Sequence, residues 1–132
     1  MDYRIFPPTK IYLNKSSIHG LGVFAKYTIY EGELIEECPV LTLPIQKGDV
    51  SSLMIDYRFN WPAETEWEEQ VIGLGFASMY NHSNNPNATW ISDIDKKTFK
   101  FIASKTINPN EEIFVWYGDD SYWTDRKYIT LK

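Results

Sequence analysis

With 132 residues, 43% of them hydrophobic and 16% aromatic, the chain is expected to form one globular domain rather than a disordered segment. Net charge is −5, without the basic cluster that a nucleic-acid surface requires; an acidic balance suits basic peptide partners and equally an ordinary soluble protein. One cysteine, Cys38, excludes an intramolecular disulfide, and with only two His it argues against a structural zinc site.

Short β-like runs dominate the chain, each bounded by Gly, Pro, Asn or Asp. In order they are Ile11-Tyr12-Leu13, Gly22-Val23-Phe24-Ala25, Glu33-Leu34-Ile35-Glu36 and, beyond Pro39, Val40-Leu41-Thr42-Leu43. Ala88-Thr89-Trp90-Ile91 follows, then Thr98-Phe99-Lys100-Phe101-Ile102-Ala103, then Glu112-Ile113-Phe114-Val115-Trp116. Helical signal is weaker. Residues 50–57 fit one or two turns capped by Asp49 or Ser51, and 66–74 fit a second short helix frayed by Gly73 and Gly75. The expected class is mainly β, built from several small sheets with one or two short helices. No apolar run is long enough to span a membrane and no signal peptide follows Met1, so an intracellular protein is expected.

Four features carry candidate chemistry. Asn81-His82-Ser83-Asn84-Asn85-Pro86-Asn87 is too polar for a core, and reads either as a connector or as a binding loop. Gly20-Leu21-Gly22-Val23-Phe24-Ala25 formally fits a dinucleotide fingerprint. The residues after it are poor helix formers, which sets that reading aside. A tight turn and a close ligand approach both remain open there. Tyr117, at the end of an apolar strand, is either a packed tyrosine or a catalytic one. His82 has no metal partners or triad at recognisable spacing, so it reads as hydrogen-bonded within a structured loop. Cys38 beside Pro39 reads as a buried small hydrophobe.

Three segments in order resemble the SET domain of protein lysine methyltransferases. Ile18-His19-Gly20-Leu21-Gly22-Val23-Phe24-Ala25, followed by Glu31-Gly32-Glu33-Leu34-Ile35, is similar to the family's G-x-G-V-F-A turn and following strand. Asn81-His82-Ser83 with Pro86-Asn87 is similar to N-H-S-x-x-P-N, and Asn110-Glu111-Glu112-Ile113-Phe114-Val115-Trp116-Tyr117-Gly118 to G-E-E-I-x-x-x-Y-G. The resemblance spans about 11–123, within a single domain 1–132, and it is to the minimal type without pre-SET or zinc-binding post-SET segments.

The resemblance implies small curved β-sheets of a β-clip-like kind with a C-terminal pseudoknot. It implies an S-adenosyl-L-methionine-dependent protein lysine N-methyltransferase with no metal. The expected substrate is a basic protein such as a histone tail of the H3 type, methylated in a nucleus or on chromatin, with no direct nucleic-acid or membrane partner. Carried over by residue, the cofactor site falls on His19, Gly20, Leu21, Gly22, Asn81, His82 and Trp123. The catalytic residue falls on Tyr117, and the lysine channel on Tyr57, Trp90, Val115 and Tyr122. Asn84 replaces the family's usual cysteine. Val115 stands where the family often has Phe or Tyr, leaving methyl number open. Closure of the channel falls to the last residues or to a partner subunit, which leaves room for a homodimer. The alternative function is a non-catalytic SET-like peptide-binding module.

Overall fold

The alternation of β-branched and aromatic residues over 98–103 produces a strand whose Phe99, Phe101 and Ala103 side chains are buried, with Lys100 and Ile102 between them on the other face. The computed structural model describes residues 2–42, 58–61 and 69–117. Among them run nine strands: β1 (Ile11–Lys15), β2 (Leu21–Ala25), β3 (Leu34–Thr42), β4 (Arg58–Trp61), β5 (Glu69–Gly73), β6 (Asn81–His82), β7 (Ala88–Asp93), β8 (Thr98–Ala103) and β9 (Glu112–Val115). A single 3-10 turn, Ala77–Met79, interrupts them.

The strands form two sheets. One has the order β1-β2-β9-β6 and the other β4-β5-β3-β8-β7. Between them lies one core that includes Val23, Ala25, Ile29, Cys38, Phe99, Phe101, Ile113 and Val115. The mainly β class is therefore as expected, with the described strands gathered into two sheets. The expected crossing takes the form of a parallel pair: Asn81 lies opposite Phe114 and His82 opposite Val115. Parallel partners cannot be joined by a tight hairpin, so the chain travels through β7 and β8 before β9 returns to β6.

Three expectations change. The helix expected over 66–74 is overturned, because Glu69–Gly73 is a strand paired on one side with β4 and on the other with β3. Cross-strand pairing outweighs local propensity there. The two strands expected on either side of Pro39 are one nine-residue strand. Proline lacks a backbone donor, and Pro39 sits where β3 leaves β8 (Pro39 opposite Thr98) and takes up β5 (Val40 opposite Gly73). Asn81–His82, inside the loop expected over 81–87, is itself a short strand. The helix expected over 50–57 lies outside the described residues.

A register shift in the β3–β8 ladder falls between Leu34 and Glu36. Residue Ile35 is the extra one, and after it the inward face of β3 moves to Glu36, Cys38 and Val40. A charged side chain is thereby turned into the core.

Candidate functional site

Ser16 begins the turn that carries Gly20. Its hydroxyl accepts the Ile18 N–H at 2.9 Å and the His19 N–H at 3.3 Å, and its own N–H donates to the Gly20 carbonyl at 2.7 Å. Gly20 has φ +50°, the left-handed region that residues other than glycine rarely occupy, and a Cβ there would meet nothing within 4 Å among the described residues. Gly22 is required for a different reason. A Cβ at Gly22 would lie 2.8 Å from Glu112 Cδ and 3.1 Å from Asn81 Nδ2.

Asn81 joins this turn to β9. Its Nδ2 donates to the carbonyls of His19 and Leu21, both at 3.1 Å, and to Glu112 Oε2 at 2.8 Å. The other Glu112 oxygen accepts the Ser16 hydroxyl at 2.7 Å. Ser16, Asn81 and Glu112 thus form a polar cluster under the turn. Because β2 runs antiparallel to β9, the turn lies toward the Val115–Tyr117 end of that strand.

His82 joins the same cluster to Tyr117. Its Nδ1 accepts the Tyr117 N–H at 2.8 Å, which puts the ring proton on Nε2, and Nε2 donates to Asn84 Oδ1 at 3.1 Å. Burial holds His82 below its ordinary pKa, partly opposed by the Asn84 bond, so the neutral form is favoured. The two rings lie 5.4 Å apart. The Tyr117 hydroxyl donates to the Tyr80 carbonyl. Below that, the Tyr80 phenol donates to Glu36 Oε1 at 2.7 Å, and Glu36 Oε2 accepts the Phe76 N–H at 2.9 Å.

Asn87 clasps the far side of β9. Its Oδ1 accepts the Phe114 N–H at 2.8 Å, its Nδ2 donates to the Glu112 carbonyl at 3.0 Å, and its N–H donates to the Phe114 carbonyl at 3.2 Å. Segments more than sixty residues apart in sequence (His19 and Asn81 are separated by 62 positions) are therefore fastened into one unit.

Of the residues expected in the site, His19, Gly20, Leu21, Gly22, Asn81, His82 and Tyr117 come together. Leu21 is 53% exposed. Val115 is buried in the core, opposite His82. Trp90 is partly buried against Phe59 and Phe101, with ring centroids at 5.7 and 5.8 Å, and its Nε1 finds no acceptor among the described residues. Tyr57, Tyr122 and Trp123 lie outside the described residues. Cys38 is fully buried, and burial followed by the Glu36 charge pushes its thiol pKa far up, away from nucleophilic use. Among the described residues no three His, Cys, Asp or Glu side chains gather as metal ligands.

Ser16, Glu36, Tyr80 and Glu112 were not singled out from sequence. Glu112 carried a signal, lying in the Glu111-Glu112-Ile113 motif, but alternation alone did not say which of the two acids turns inward. Ser16 and Glu36 carried none.

A SET domain family model matches residues 20–118, and the chain belongs to that family. A curated relative from Schizosaccharomyces pombe, a histone-lysine N-methyltransferase specific for lysine 37 of histone H3, is 29% identical over 109 residues, covering 80% of this chain and 71% of the relative. A crystal structure of a Plasmodium falciparum protein assigned as a histone methyltransferase is 30% identical with a TM-score of 0.68, covering 86% of this chain and 96% of the other. A chain of the ctPRC2 complex shares the fold with a TM-score of 0.63 at 23% identity, and this chain matches 15% of its length.

Proposed function

We propose that the chain is an S-adenosyl-L-methionine-dependent protein lysine N-methyltransferase that acts on a basic peptide such as a histone H3 tail. The observation that carries this reading is the fastening of three separate motifs by Asn81 and His82, so that the Gly20–Gly22 turn and Tyr117 share one site. The names of the Schizosaccharomyces pombe and Plasmodium falciparum relatives support a histone substrate, and with it a nuclear or chromatin setting.

The residues fit the cofactor. Among the described residues nothing lies within 4 Å of where a Cβ on Gly20 would stand, and Leu21 and Trp116 (51% exposed) present apolar surface to solvent. The Tyr80 carbonyl and Tyr117 hydroxyl supply oxygen atoms that complement positive charge. His19, Gly20, Leu21, Gly22, Asn81 and His82 would hold the cofactor, with Trp123 as a further contact. Bound there, it supplies a methyl group on a positively charged sulfur.

The amine must attack in its neutral form. Free lysine has a pKa near ~10.4, so deprotonation at pH 7.4 costs about 4 kcal/mol, three units at ~1.36 each. A channel lined by Tyr57, Trp90 and Tyr122 would lower that pKa by desolvation, without a dedicated base. Tyr117 has one hydroxyl proton, directed at the Tyr80 carbonyl. A hydroxyl oxygen also accepts, so in this reading Tyr117 accepts a hydrogen bond from the amine and holds it in line.

The test is transfer of labelled methyl to histones and lysine-rich peptides, read by mass spectrometry. Methylated lysine is expected; no transfer together with no cofactor binding by calorimetry refutes the reading. Tyr117→Phe should keep cofactor affinity and lose about 100-fold or more in kcat, the scale of one lost polar contact in a transition state. Full activity in that variant would contradict the role given to Tyr117.

A further inference from the structure

The register shift in β3 directs Glu36 inward, where it is 3% exposed. A buried carboxylate costs free energy unless its oxygens are satisfied. Both are: Oε1 accepts the Tyr80 phenol at 2.7 Å and Oε2 accepts the Phe76 N–H at 2.9 Å. The pocket around it is tight, since a Cβ on Gly75 (φ +66°) would come within 2.6 Å of Oε2. An apolar side chain would fill this space without the desolvation penalty, so the carboxylate invites an explanation beyond packing.

Tyr80 supplies it. This residue is 1% exposed and its ring stacks on Phe101 at 4.3 Å and 13°. The ring is held at its hydroxyl by Glu36, and the main chain of the same residue offers its carbonyl to the Tyr117 hydroxyl. Burial, then the Glu36 charge and hydrogen bond, hold the Tyr80 phenol well above its usual pKa, so it remains a donor.

We propose that Glu36 is a positioning residue for Tyr117, acting through Tyr80: it fixes the Tyr80 ring, the ring fixes the carbonyl, and the carbonyl sets the direction of the Tyr117 hydroxyl. This rests on the reading of Tyr117 as the group that meets the substrate amine. Glu36 touches neither substrate nor cofactor in this scheme. Its effect is on how well Tyr117 is aimed.

Tyr80→Phe is the informative variant, because it keeps the stacked ring and the carbonyl and removes the link to Glu36. Glu36→Gln is the second, offering one oxygen where the Tyr80 phenol, the Phe76 N–H and the Cys38 thiol all need acceptors. In both, kcat should fall about 10- to 100-fold, the scale of small misplacements of a reacting group. Cofactor Kd and peptide KM should stay within about threefold, since no binding group is removed. With tyrosine labelled at its ring carbon ζ, the Tyr117 NMR signal, identified by its loss in Tyr117→Phe, should move in both variants. Unchanged kcat with an unmoved Tyr117 signal overturns the proposal. Equal loss of kcat and cofactor affinity also overturns it, as general disruption. A wild type without turnover defeats the functional reading instead, and the coupling of Glu36 to Tyr117 then stands or falls on the NMR signal alone.

Discussion

Replacing Asn87 by Ala should unfasten β9 from the 81–87 segment. The Asn87 side chain serves β9 as a peptide group would, accepting the Phe114 N–H at 2.8 Å and donating to the Glu112 carbonyl at 3.0 Å. Alanine removes both bonds and keeps only the main-chain donation to the Phe114 carbonyl. A net hydrogen bond is worth about 1 kcal/mol, and a buried donor or acceptor left without a partner costs ~1–3 kcal/mol. Both bonds are only part-buried, so water recovers some of this, and the expected loss is about 2–3 kcal/mol. For a domain of this size that lowers Tm by roughly 6–15 °C. Urea titration and thermal melting by circular dichroism would measure it. Asn85→Ala is the control, because the Asn85 side chain meets an exposed Lys105 amine, and a change under about 0.5 kcal/mol is expected. Asn87→Asp should recover less than half of the loss, since its second oxygen would face the Glu112 carbonyl. An Asn87→Ala protein within about 0.5 kcal/mol of wild type would refute the clasp.

Two further predictions concern the site. Gly22→Ala should push Glu112 and Asn81 off the turn, destabilising the domain by about 1–3 kcal/mol as overpacking does and weakening cofactor binding in calorimetry; a variant equal to wild type in both would count against the Ser16–Asn81–Glu112 cluster. His82 has a folded pKa below its ordinary value of 6.5, so the unfolded chain takes up its proton first as pH falls. The stability from neutral His82 is therefore complete above about pH 6.5 and is lost as pH drops through the folded pKa, where a protonated Nδ1 can no longer accept the Tyr117 N–H. His82→Asn, with an oxygen near the Nδ1 position that does not titrate, should flatten Tm against pH in that window. An equally steep fall in both proteins would exclude His82 as its source.

Much of the fold was legible because several strands carry their burial pattern openly. Thr98–Ala103 alternates, and Ala88–Asp93 and Leu21–Ala25 are rich in β-branched or aromatic residues between turn formers. Glu69–Gly73 was illegible for the opposite reason: Glu and Gln followed by Val, Ile and Gly hold no alternation, and only the ladders to β3 and β4 make the segment a strand. Pro39 looked like a break because local rules see the missing donor, whereas the change of partner strand that makes it harmless is a property of the sheet.

The candidate site divides in the same way. Glycine at positions 20 and 22, the Asn81-His82 pair and Tyr117 are visible in sequence, because their residue types already limit what they can do: φ freedom, amide and imidazole hydrogen bonding, a phenol at a strand end. How they meet is not visible. Asn81 reaches back 62 positions to His19, Ser16 reaches forward 96 to Glu112, and both links exist only once β9 lies between β2 and β6. Glu36 is the sharpest case. By strict alternation from Ile35 it faces outward, and one extra residue against β8 turns it in toward Tyr80 and, through it, Tyr117. The residue types and their order determine the family and the chemistry at hand; strand register, a long-range property that no local window contains, decides which side chains share the site.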